Sequence, residues 1–90
     1  MNIDYANLEA DLESGTFRQN LEEELTSGFR QIHQSGERLP TASHYAAQIA
    51  EIVNRDVELG AETKYELYQE ILSAVEHARA AVLGEVIAPN

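Results

Sequence analysis

Hydrophobic positions along this chain recur at steps of three and four residues, the period of amphipathic helices, and no useful length of sequence alternates as a strand would. The longest such run, residues 63 to 84, carries two apolar rows side by side: Tyr65, Tyr68, Leu72, Val75 and Val82 in one, and Leu67, Ile71, Ala74 and Ala78 in the other. Two rows call for burial on more than one side. This segment is therefore predicted as the spine of a small all-α, four-helix domain, with Glu66, Gln69, Glu70, Ser73, Glu76 and His77 on its wet arc.

Three shorter patterns precede it. Residues 3 to 13 read as a short first helix with Asn2 as its cap, Tyr5, Leu8 and Leu12 on one face, and Gly15 at its end. A second helix is predicted from Thr16, whose spacing to Gln19 suits a capping box, with a stripe of Phe17, Leu21, Leu25, Phe29 and Ile32. Gly28 interrupts that helix, and close packing against a neighbour is the expected reason. Residues 34 to 40, with Gly36 and Pro40, read as a loop. Thr41 then caps a third helix bearing Ala42, Tyr45, Ala46, Ile49, Val53 and Val57, closed by Gly60, and ThrLysTyrGlu at 63–66 is a second capping box that opens the spine. So short a linker predicts that helices three and four form an antiparallel hairpin or a helix-turn-helix corner.

Composition narrows the chemistry. Ninety residues make one domain, and the absence of cysteine removes disulfides, thiolate metal sites and cysteine nucleophiles. A cytoplasmic protein is expected, with no secretory signal or membrane span in it and the whole chain as the mature form. Sixteen acids against six bases give a net charge of −10, which repels phosphate backbones and anionic lipid, so neither direct nucleic-acid binding nor membrane association is expected. The charge is uneven: residues 1–24 and 51–70 are acidic, and residues 25–50 form a near-neutral waist.

Motifs for catalysis or cofactors fail one by one. His33, His44 and His77 lie on three different predicted helices, and none follows a Glu at metal-helix spacing. A calcium loop counted from Asp56 has Ala61 where glycine is needed and Leu67 where a bidentate glutamate is needed. The serine motif of acyl carrier proteins is missing. A DNA-reading corner around Gly60 would present Glu62, Glu66 and Glu70 to phosphate. No metal, cofactor or catalytic residue is assigned, and the chain is read as a non-enzyme.

What remains is surface charge. Asp11, Glu13, Glu22, Glu23 and Glu24 crowd the first two helices and are the expected partner-binding residues. Such rows present a negative field to a groove built for phosphate. The leading expectation is a small acidic inhibitor or nucleic-acid mimic that blocks a basic protein or nucleoprotein complex, in the manner of phage defence inhibitors such as anti-CRISPR proteins. Acidic four-helix immunity proteins are similar in size and charge class, although no motif of theirs occurs here. The alternative is a structural or adaptor protein that homodimerises, or docks on an assembly, through the fourth helix, with Tyr65, Tyr68, Val75 and Val82 as the interface. A ligand pocket among Tyr45, Tyr65 and Tyr68 is a third reading.

Overall fold

The computed structural model describes residues 7–85. They form four helices, α1 (Leu8–Ser14), α2 (Thr16–Gln34), α3 (Ala42–Asp56) and α4 (Ala61–Leu83), with no strand among them. This is the expected all-α, four-helix domain with a short first helix and a long fourth. Asn2, Ile3 and Tyr5, assigned to the first helix from sequence, lie outside the described residues.

α4 is the spine. Each of the other three helices packs against it, whereas the backbones of α2 and α3 do not come together. Leu67, Ile71, Ala74, Val75, Ala78 and Val82 are all fully buried, which is what two apolar rows on one helix require when it has neighbours on two sides. Phe17, Leu21, Leu25 and Phe29 pack from α2, Ala46, Ile49, Ala50 and Val53 from α3, and Leu8 and Leu12 from α1. Leu39, in the loop before α3, is also buried. The core spans the gap between α2 and α3 through one aromatic contact, Phe29 edge-on to Tyr45 with ring centroids 5.4 Å apart.

Cross-helix contacts fix the directions. Arg18 meets Glu70, Glu22 meets His77 and Arg30 meets Glu85, an ascending series that makes α2 and α4 parallel. Arg79 Nε donates to the Pro40 carbonyl at 2.9 Å, placing the start of α3 beside the end of α4. α3 and α4 therefore form the expected antiparallel hairpin. The result is an elongated body of 49 × 22 × 18 Å.

The structure departs from the sequence pattern at three helix ends and at one glycine inside α2. Thr16 is the first residue of α2 and not its cap: Gly15, at φ +81°, is the single residue between α1 and α2, and no side-chain capping bond forms there. The left-handed glycine lets one helix follow directly on the other, and the Thr16 hydroxyl instead lies 2.8 Å from that of Ser14. α3 stops at Asp56, four residues before Gly60, because Val57 turns extended. α4 starts at Ala61 with Gly60 as its cap residue, so Thr63 is already helical and its capping box is not used. The extended link carries Leu59 onto the core, which brings the chain back to α4 early. Finally, Gly28 is exposed, and a Cβ built there would meet nothing within 4 Å, so close packing is not its reason. The end of α2 is regular: Glu37 N–H donates to the Ile32 carbonyl and Gly36 N–H to that of His33, a Schellman motif with Gly36 at φ +86°.

Candidate partner-binding surface

Parallel packing of α2 on α4, with α3 returning between them in sequence, folds two distant acidic segments to one end of the molecule. That end holds α1, the first half of α2, the last turns of α3 and the first half of α4. Residues 7–24 and 51–70 contribute twelve carboxylates and three bases, while residues 25–50 and 71–85 contribute three carboxylates, three arginines and all three histidines. Nearly all of the net negative charge is thus concentrated at one end of the long axis.

A groove of about 270 Å³ opens there between α1 and α4, lined by Leu12, Glu13, Tyr65, Glu66, Gln69 and Glu70. Leu12 is buried, and Tyr65 stands 69 % exposed among the carboxylates. Glu62, Glu66 and Glu70 follow one another at four-residue steps, so one row of α4 is wholly acidic at this end. Arg18 approaches Glu70 at 3.6 Å across the α2/α4 contact and offsets part of that charge.

The residues expected to bind a partner are distributed unequally around this groove. Glu13 lines it, and Asp11 sits half-buried on the same short helix. The glutamate triplet does not form a single row, because successive helix residues are about 100° apart. Glu22 is turned toward α4, with its carboxylate 3.5 Å from His77 Nδ1, whereas Glu23 and Glu24 are exposed on other sides of α2. Glu66 and Glu70, treated from sequence only as part of a wet arc, are the carboxylates that share the groove with Tyr65. The four-residue spacing of Glu62, Glu66 and Glu70 was the available signal, whereas the exposure of Tyr65 was not.

The residues expected to form a helix-four interface do not share a surface. Val75 and Val82 are fully buried in the chain's own core, Tyr68 is half-buried against it, and only Tyr65 is exposed. Apart from Tyr65, the residues of both apolar rows of α4 are buried or half-buried against α1, α2 and α3. Among the described residues the other exposed large apolar side chains are Ile52 on α3 and Leu83 at the far end of α4 from Tyr65. Val86, Ile87 and Ala88, an apolar stretch that follows in the sequence, lie outside the described residues. Tyr45 is engaged with Phe29 toward the opposite end from Tyr65, so the three tyrosines do not line one pocket.

No polar or charged residue is buried among the described residues. The resolved perturbations belong to a surface pair: the guanidinium of Arg30 donates to both oxygens of Glu85, at 2.7 to 3.0 Å, which lowers the Glu85 carboxyl and raises Arg30. No group of three or more His, Asp or Glu side chains among the described residues is arranged to hold a metal. His77 faces Glu22, His44 contacts Gln48 at 3.2 Å, and His33 lies near the end of α2. No helix among these residues is long and apolar enough to cross a membrane. Comparison with protein-family models, curated proteins and solved structures finds no match to the chain.

Proposed function

We propose that the protein is a non-enzymatic binding module whose acidic end occupies a basic, phosphate-binding surface on a nucleic-acid-handling protein or complex, and so inhibits it. The observation that carries this reading is the meeting of the two acidic segments at one end, around the exposed ring of Tyr65. A concentrated negative field steers encounter with a basic surface, and an exposed tyrosine supplies an anchor that remains when salt screens the charges. Glu13, Glu66 and Glu70 take the central place beside Tyr65, with Asp11, Glu23 and Glu24 on the periphery.

The test is binding and inhibition against a panel of purified nucleases and nucleic-acid-binding effector complexes. Binding should weaken with added salt and should be displaced by duplex DNA. Replacing Glu13, Glu66 and Glu70 with Gln should weaken it more than replacing Glu22, Glu23 and Glu24, and Tyr65→Ala should weaken it even at high salt. A partner held equally well at low and high salt by every variant would remove the mimicry reading. The adaptor alternative has less support, because Val75 and Val82 are core residues. Sedimentation would revive it by showing a salt-independent dimer.

A further inference from the structure

At the end opposite the acidic groove, the loop between α2 and α3 and the last turns of α4 border an open pocket of about 320 Å³ lined by His33, Glu37, Arg38, Leu39, Arg79 and Leu83. Half of the six basic residues of the chain lie in residues 25–50 and 71–85, and two of those three, Arg38 and Arg79, line this one pocket. From these neighbours we infer that the pocket binds a small oxyanion carrying a short apolar body, a carboxylate or phosphate group on the guanidinium groups with its carbon chain against Leu39 and Leu83.

Arg79 is half-buried, and its Nε is fixed by the Pro40 carbonyl at 2.9 Å, so the plane of its guanidinium is set in advance. Among the described residues its terminal amino groups make no hydrogen bond or ion pair, and none of its nitrogens is both buried and unpartnered. They are therefore open to a ligand. Arg38 is exposed and makes no ion pair among the described residues, and Glu37 makes none with either guanidinium. Two forks of this kind match the planar geometry of a carboxylate and the tetrahedral geometry of a phosphate. Glu85 is held by Arg30 and so is already compensated.

The carboxylates at this end are Glu37, which lines the pocket, Glu76, three residues before Arg79 on α4, and Glu85, which Arg30 holds. The acidic end is remote: thirteen positions of α4 take Glu66 to Arg79, about 20 Å along the helix, beyond the roughly 8 Å screening length at physiological salt. The helix end of α2 would also repel an anion. Its last carbonyls, however, accept hydrogen bonds from Ser35, Gly36 and Glu37. Leu83, 48 % exposed on α4, adds apolar surface that water alone does not favour and that a carbon chain would cover.

The experiment is a nuclear magnetic resonance titration of the full chain at constant ionic strength, with inorganic phosphate in one arm and butyrate in the other. Saturable shifts of the residue 36–39 amides and the His33 ring are expected. Arg38→Gln should weaken the response about tenfold, while Arg55→Gln on α3 should leave it unchanged. Because Arg38 is exposed and has no partner among the described residues, its replacement should leave the fold intact, which the remaining amide spectrum verifies. Saturation by phosphate alone would support the pocket and assign it to phosphorylated ligands, and saturation by butyrate alone would support it and assign it to carboxylates. Linear drift with both probes, or saturation that survives in Arg38→Gln, would overturn the inference.

Discussion

The two ends of this molecule share one core but differ in almost everything outside it. At one end a seven-residue helix is held by two described leucines, Leu8 and Leu12, and twelve carboxylates outnumber three bases. At the other, a Schellman turn, the bidentate Arg30–Glu85 pair and the Arg79–Pro40 bond tie the loops down, and acids and arginines are equal in number. The difference teaches how unevenly the contacts that stabilise the fold are distributed. The acidic end accepts charge repulsion and a thinly anchored helix, and it carries the surface proposed above to meet a partner. The neutral end is cross-linked.

The largest expected effect removes what both ends have in common. Ile71 is fully buried midway along α4, and Ile71→Ala should cost about 2–5 kcal/mol by loss of transfer energy and an unfilled cavity. Denaturant unfolding followed by circular dichroism should move as one transition. If instead the neutral end persisted after the acidic end had melted, the two would be separate folding units.

The next loosens only the acidic end. Gly15→Ala forces an L residue into the left-handed region at φ +81°, at about 1–2 kcal/mol. Hydrogen exchange should quicken first in α1 and the opening turn of α2, with amides near Gly36 unaffected. Strengthening the other half is the converse: Gly28 has open space around it, and Gly28→Ala should add about 0.4–1 kcal/mol by restricting the unfolded chain. A loss of stability there would show that Gly28 is needed in some other capacity.

Smaller still is relief of repulsion. Glu66 lies four residues from both Glu62 and Glu70, so Glu66→Gln should raise stability by about 0.2–0.5 kcal/mol per like-charge pair removed at low salt. The gain should shrink as salt is added. Glu76→Gln, whose neighbours at that spacing are Leu72 and Ala80, serves as the control and should change little. The smallest effect concerns Glu85. Arg30 lowers its carboxyl below the ordinary glutamate value, so the pair contributes above that value and its contribution fades as pH falls through the lowered one. Glu85→Gln should flatten the acid side of the thermal-stability profile slightly, and high salt should erase the difference.

Much of the fold was legible from local pattern. The three- and four-residue recurrence identified four helices, and the double apolar row of residues 65–82 marked α4 as the helix with neighbours on two sides, because that inference needs only helical geometry. Helix starts were less legible. Thr16 and Thr63 have capping-box spacing, yet both lie inside helices, since a left-handed Gly15 and an extended link at Leu59 let the chain enter each helix early. Gly28 shows the same limit, as nothing local distinguishes a glycine packed tightly from one facing water.

The candidate surface divides along similar lines. Acidity in residues 1–24 and 51–70, and neutrality between them, are properties of the chain and were visible in it. Spacing alone also determined that Glu22, Glu23 and Glu24 would splay around their helix. That the two acidic segments meet, with Tyr65 exposed between Glu13 and Glu66, was decided by α2 packing parallel to α4 and α3 turning back. So was the burial of Val75 and Val82, which the sequence alone allowed to be either core or interface. Helical periodicity tells which residues share a face of one helix. Only the packing of helices against one another determines which faces are covered and which distant charges become neighbours.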